Sequence, residues 1–238
     1  MDTMSIMNIP IVINNRNRFT TTKNMVDKLL LINPNEEIII IDNESSYPPL
    51  MLWYKEVLIN PKYKSVKIHF HKNEGHLALW STGLDKQLGE YFIYTDSDIE
   101  LNENLPLDWK EIMFNTMQHF KEKKVALGIR LDDIPDYYRF KNQVLRNEAR
   151  WWLDSNKIGE HLYLADTDTT FALYKNFHDN CYVSIRITRE DLLCRHMGWY
   201  LDLNNLDEEE KFYLDNLGER VTTQYSKQNK NPLSYLDI

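Results

Sequence analysis

Cysteine is nearly absent: Cys181 and Cys194 are the only two in the chain. Two are too few for a disulfide scaffold and lack the spacing of a zinc site, so a reducing, cytoplasmic compartment is expected. Basic residues are outnumbered, 28 Lys and Arg against 36 Asp and Glu, for a formal net charge of −8. That balance argues against nucleic acid or an anionic membrane surface as partner, since both are held by neutralising many phosphates. A small phosphorylated ligand stays compatible if a metal ion, a few arginines or backbone N–H groups act locally. No run of about 18 apolar residues occurs, and the first residues contain no basic stretch leading into an apolar one, so neither a membrane span nor a signal segment is expected. Gly/Ser linkers, internal repeats and low-complexity tracts are missing too, so nothing marks a domain boundary within the 238 residues.

What is present is a core. Apolar residues make up 42% and aromatics 12% of the chain, enough for one packed domain of the larger kind. Residues 9–13 are apolar and β-rich, and lead through the polar string Asn14-Asn15-Arg16-Asn17-Arg18 into a helical pattern over 20–31 that Thr20, Thr21 or Thr22 is placed to cap. Residues 37–41 read as a strand apolar on both faces, as central parallel strands are. A helix over 49–58, a strand over 65–71, a helix over 78–88 and a strand over 91–95 continue the alternation. The pattern predicts an α/β fold with a mostly parallel sheet, whose ligands bind beyond the carboxyl ends of the strands. Further on, helices are expected over 109–122 and 140–152 and strands over 125–129 and 169–174. After Cys181 the periodicity weakens, except for a charged helix over 207–217 in which Glu208-Glu209-Glu210 reads as a solvated face.

Three polar clusters fall at strand ends: Asn14 to Arg18, Asp42 to Ser46, and Asp96-Ser97-Asp98. Asp96 and Asp98 stand two residues apart after an apolar strand, a hard-oxygen pair suited to Mg²⁺ or Mn²⁺, which take one or two carboxylates and fill their sphere with water and phosphate oxygens. An EF-hand reading of Asp96, Asp98, Glu100 and Asn102 fails, because Leu101 replaces the turn glycine and Leu107 the bidentate glutamate. Asp42 is equally suited to a turn or helix cap. His69 and His71 alternate on one strand face without a neighbouring carboxylate, as structural histidines often do. Trp151-Trp152 and Trp199-Tyr200 suit core or cleft lining.

The strand and loop over 9–18, Ile38-Ile39-Ile40-Ile41-Asp42-Asn43, the Asn73-x-Gly75 pair and Tyr94-Thr95-Asp96-Ser97-Asp98 together resemble, in order and spacing, family 2-type GT-A glycosyltransferases. Leu131-Asp132-Asp133-Ile134-Pro135, Asp168-Thr169-Thr170-Phe171-Ala172-Leu173-Tyr174 and Arg195-His196-Met197-Gly198-Trp199-Tyr200 resemble a narrower group of small bacterial and large-DNA-virus enzymes. The resemblance implies a single GT-A domain over 1–238, with a nucleotide-sugar-binding half (1–105) and an acceptor-binding half (106–238). It implies that Asn14, Asn15, Arg16, Arg18, Asp42, Asn73, Gly75 and Asp96 hold the nucleotide. Asp96 and Asp98 would take the metal, Mn²⁺ or Mg²⁺, with His196 completing its shell. Two departures stand out: Asn43-Glu44-Ser45 occupies the place of a common Asp-Gly-Ser, and Gly198 that of an expected proline.

The implied activity is metal-dependent hexosyl transfer from a nucleotide-diphosphate-sugar donor to a hydroxyl of a glycan or other acceptor. If the reaction inverts, a carboxylate must take the proton of that hydroxyl. Asp168 and Asp133 are the candidates, Asp168 narrowly preferred; a retaining reaction would need neither. A nucleotidyltransferase acting on sugar phosphates would carry a glycine-rich phosphate loop after the first strand, where this chain has no glycine. A catalytically silent nucleotide-sugar or glycan-binding module would have no need of Asp96, Asp98, Asp168 and His196 together.

Overall fold

The computed structural model describes residue 6 and residues 8–167, 170–175 and 183–217. Asp168, proposed from sequence as the base, lies outside the described residues, as do Thr169 and Cys181. The first half alternates as expected: β1 (Ile11–Asn15), α1 (Thr20–Ile32), β2 (Ile38–Asn43), α2 (Pro48–Ile59), β3 (Val66–His71), a short α3 (Ala78–Ser81) and β4 (Tyr91–Asp96). There follow β5 (Ile99–Glu100), α4 (Trp109–Phe120), β6 (Lys124–Leu127), α5 (Lys141–Ala149), β7 (Lys157–Gly159), β8 (Leu162–Asp166), β9 (Ala172–Lys175), β10 (Val183–Ile187), β11 (Arg195–His196) and α6 (Glu208–Asp215).

Nine strands form one sheet in the order β3-β2-β1-β4-β9-β6-β10-β8-β7. The four on the amino-terminal side are parallel, while β9 runs antiparallel between β4 and β6. Both faces of β1, β2 and β4 are covered, which is why these strands lack polar alternation, whereas the edge strand β3 alternates and is partly exposed. Ile11, Ile13, Ile38 and Ile40 pack with Met25, Leu29, Trp53, Met113 and Phe114 from α1, α2 and α4. Val12, Ile39, Ile41 and Tyr94 face Ala78 and Leu79 on the other side. Each such isoleucine, fully buried, contributes roughly 1.5–3 kcal/mol.

Three expectations need correction. The helix expected over 78–88 ends at Ser81, because Gly83 takes a left-handed φ of 72° that stops the helix, and Leu84–Gln87 continues as a 3₁₀ turn. No threonine caps α1. Its first amides are bound instead by a carboxylate from the far end of the chain: Glu209 accepts from the Phe19 N–H at 2.8 Å, from the Thr20 N–H at 3.1 Å and from the Thr20 hydroxyl at 2.7 Å. The acidic run is therefore not simply a solvated face. Glu208 is exposed, but Glu209 is buried and Glu210 pairs with Arg18. A carboxylate at a helix N-terminus is favoured by both the unpaired N–H groups and the helix dipole.

Candidate functional site

The order β2-β1-β4 means that successive connections leave β1 in opposite directions, and ligands of open α/β sheets bind at such a reversal. Strand register brings the polar clusters side by side there: Asn14 pairs with Asp96 across β1 and β4, and Asn15 with Asp42 across β1 and β2.

Two layers result. The lower one is a buried frame: the Asn15 amide donates to the Tyr54 hydroxyl at 2.9 Å, and that hydroxyl donates to Asp42 at 2.9 Å. Asp42 also accepts from the Ser45 N–H at 2.9 Å. Asn15 and Asp42 are 0% and 1% exposed, so both carboxylate and amide are committed to the scaffold. Asp42→Ala should leave the Tyr54 hydroxyl and the Ser45 N–H without their acceptor and cost about 1–3 kcal/mol, read as a lower urea midpoint. An unmoved midpoint would show that the frame does not depend on that carboxylate.

Above the frame, a loop is latched across the strand ends. Asn14 donates to the Gly75 carbonyl at 3.2 Å, Asn43 donates to the Asn14 side-chain oxygen, and the Glu74 N–H donates to Asn43 at 3.1 Å. Asn73 accepts from the Gly75 N–H at 3.0 Å, and Gly75 holds a left-handed φ of 73°. Asn14, Asn73 and Gly75 thus form one constellation, with Asn43 as its unpredicted centre. Glu44, where the resemblance expects glycine, has a φ of 61°, a conformation that costs a non-glycine residue about 1–2 kcal/mol. Arg16 ties this turn down, donating to the Asn43 carbonyl at 2.6 Å and the Glu44 carbonyl at 3.2 Å.

The second half returns to Asp98 through a two-stranded ribbon. β11 pairs antiparallel with β5, Arg195 opposite Glu100 and His196 opposite Ile99, while the Met197 N–H donates to the Asp98 carbonyl at 2.7 Å. His196 Nε2 consequently stands 3.8 Å from Asp98 Oδ2, its ring stacked on Trp199 with centroids 5.1 Å apart. His196 Nδ1 is buried without a partner. At metal–oxygen bonds of about 2.1 Å, ligands of an octahedral cation stand about 3.0 Å apart when adjacent and about 4.2 Å when opposite. The 3.8 Å gap lies between the two, so a few tenths of an ångström of side-chain movement would let the pair share one ion. Among the described residues no three His, Cys, Asp or Glu side chains converge as a complete metal site, so remaining ligands would have to be phosphate oxygens and water.

Asp133 is tied to the same ribbon from the segment between β6 and α5. It accepts from Arg195 Nε at 2.6 Å and from the Tyr200 hydroxyl, and Arg195 also donates to Glu100 at 3.1 Å. Burial works against its charge, but the bonds from Tyr200 and Arg195 prevail and hold its carboxyl below the usual range. An open groove beside it is lined by charged and polar side chains, among them Glu100, Asn102, Arg130, Glu190 and Arg195.

Arg18, Tyr213 and the glutamates of α6 close the other side. The Arg18 guanidinium lies 3.7 Å from the Tyr213 ring centroid and pairs with Glu210. Burial pushes the Tyr213 phenol up to about 12; Arg18 opposes this, whereas Asp98, Asp96 and Glu210 add to it. None of the α6 contacts was legible in sequence, since they join residues about 190 positions apart.

A sheet that reverses at β1, with carboxylates beyond β4 and a late segment folded back onto them, has the architecture of the GT-A glycosyltransferases. The family described as glycosyl transferase family 2 matches residues 11–183, and the chain belongs to that family. Among solved structures it is similar to a mannosyltransferase from Pyrobaculum calidifontis in complex with GDP-Man and Mn²⁺, at 14% identity and a TM-score of 0.51, over 80% of this chain and 57% of that one. Weaker likenesses are to residues 1–349 of TarS from S. aureus (11% identity, TM-score 0.42, 71% of this chain and 47% of that one) and to glucosyl-3-phosphoglycerate synthase from Mycobacterium tuberculosis (13%, 0.43, 71% and 57%). The chain therefore spans a little over half the length of the mannosyltransferase. No curated protein matches it. Among the described residues, no helix is long and apolar enough to cross a membrane.

Proposed function

We propose that the chain transfers a hexosyl group from a nucleoside-diphosphate sugar to a hydroxyl of a glycan or similar polar acceptor, dependent on Mn²⁺ or Mg²⁺. The observation that supports this most is the 3.8 Å approach of His196 to Asp98, made by two segments a hundred residues apart in a chain of this family. Asp98 and His196 are the proposed metal-holding pair, with Asp96, which does not converge with them as a third ligand, proposed to act on the ion through water. When bound, the cation would neutralise charge growing on the departing diphosphate. The mannosyltransferase to which the fold is similar was solved with GDP-Man and Mn²⁺, which supports the donor class and the metal.

The chain's own groups supply the rest. Asn14, Asn43 and the 73–75 loop shape the nucleotide side, with Arg16 and Arg18 as its cations, while the buried Asn15, Tyr54 and Asp42 act beneath as frame. The charged groove beside Asp133 suits a hydroxyl-rich acceptor better than an apolar one. Asp133, already accepting from two donors, serves to position Arg195 and Tyr200, and Asp168 is the proposed base.

The test is a panel of UDP- and GDP-sugars with Mn²⁺, read by nucleoside diphosphate release and by melting temperature. A donor at a hundred times its Kd should stabilise the fold by about 2.7 kcal/mol, or roughly 5–10 °C, and chelation should remove both signals. If no member of the panel is turned over or raises the melting temperature, the donor class is wrong.

A further inference from the structure

α6 lies beyond residues 11–183, the stretch the family accounts for, yet it is clamped onto the β1–α1 turn at several separate points. Glu209 caps α1, Glu210 pairs with Arg18, Arg16 donates to the Asn216 carbonyl at 3.2 Å, and the Phe212 ring packs on Tyr47 with centroids 5.0 Å apart. All of these land on or beside the turn proposed to hold the nucleotide. What they hold in place is Tyr213. Its ring lies against the Arg18 guanidinium, near enough to Asp96 and Asp98 for their charges to act on the phenol. Phenylalanine would make the same ring contact, so stacking leaves the hydroxyl without a purpose. Among the described residues that hydroxyl has no hydrogen-bond partner.

We propose that Tyr213 is a donor-site residue whose hydroxyl donates a hydrogen bond to a phosphate oxygen of the nucleoside diphosphate, and that Glu209 and Glu210 are the positioning residues that hold α6 in place for it. The inference rests on the nucleotide-sugar reading above. A diphosphate held by a cation near Asp96 and Asp98 would bring to that region phosphate oxygens, which are stronger acceptors for a phenol than water is. Arg18 serves both purposes, as partner of Glu210 and as the cation that keeps the ring in place.

The experiment is calorimetry of the full chain with Mn²⁺ and each of UDP and GDP, repeated with uridine and guanosine as phosphate-free probes. Tyr213→Phe should weaken the better diphosphate about tenfold or more, the scale of a hydrogen bond to a charged group, and leave its nucleoside and the melting temperature unchanged. Glu209→Gln, which loosens α6 without touching ligand, should weaken the diphosphate less than Tyr213→Phe does. Equal diphosphate affinity in wild type and Tyr213→Phe overturns the assignment while leaving the donor reading intact. Parallel loss for diphosphate and nucleoside also overturns it, since α6 would then act as a wall against the base. Failure of the wild type to bind either diphosphate overturns both readings.

Discussion

Asp98→Asn is expected to reduce Mn²⁺-dependent donor turnover by roughly 100-fold or more while the fold stays intact. A metal acting on a leaving diphosphate contributes several kcal/mol to the transition state, and each 1.36 kcal/mol is tenfold in rate. The substitution keeps the volume and removes the charge. Its fold contact is spared because the bond that joins β11 to this turn runs from the Met197 N–H to the Asp98 backbone carbonyl, not to the carboxylate. The carboxylate itself is partly exposed and faces His196 at 3.8 Å. Melting temperature should therefore shift by no more than about 1–2 °C, the range of a surface substitution in a chain of this size. Turnover at the wild-type level would remove Asp98 from the metal site, and a large fall in melting temperature would make it a structural residue instead.

The parts of the molecule legible in sequence share one property: short-range pattern decides them. β1, α1, β2, α2, β3 and β4 all fall within two residues of expectation, because two-sided burial gives the unbroken apolar strands β1, β2 and β4, an edge position gives the alternating β3, and one-sided burial gives helical periodicity. Their strand ends follow from the α/β rule, which is why the sequence alone groups Asn14, Asp42 and Asp96. β10 escaped because Arg186 sits in its middle, buried and satisfied by Glu148 at 2.5 Å and by the Asp166 carbonyl, partners that no local pattern reveals. β8 escaped for the matching reason that most of its residues are only partly buried.

The site divides in the same way. Which carboxylates lie at strand ends was legible, but which of them face the cleft was not. Asp42 and Asp96 look alike in sequence, each closing an apolar strand, yet Asp42 is enclosed by Tyr54 and Ser45 whereas Asp96 is partly exposed. The difference comes from Tyr54, twelve positions on, whose hydroxyl reaches back beneath the sheet end. Glu209 is the extreme instance: its carboxylate caps a helix that begins 189 residues earlier, so composition alone makes it look solvated.

His196→Ala should raise the Mn²⁺ concentration needed for half-maximal turnover by about 10–100-fold, the scale on which losing even a supporting partner weakens a metal site. The imidazole reaches Asp98 because β11 pairs with β5, and glycine at 198 leaves the ring room. A Cβ built there would lie 3.0 Å from His196 Cε1, 3.1 Å from Nδ1 and 3.8 Å from Asp98 Oδ2, closer to the ring than side-chain carbons ordinarily come. The glycine in place of the expected proline thus spares this histidine a shift of a few tenths of an ångström. Imidazole also suits Mn²⁺ better than Mg²⁺, so the variant should lose more of its manganese than of its magnesium activity. A histidine that only packs against Trp199 would behave differently, lowering the melting temperature without moving the manganese midpoint. Gly198→Ala separates the two cases a second time, since it keeps the imidazole and displaces it. If His196 holds metal, that variant should shift the manganese midpoint in the same direction as His196→Ala but by less, whereas under packing alone both midpoints should coincide with the wild type.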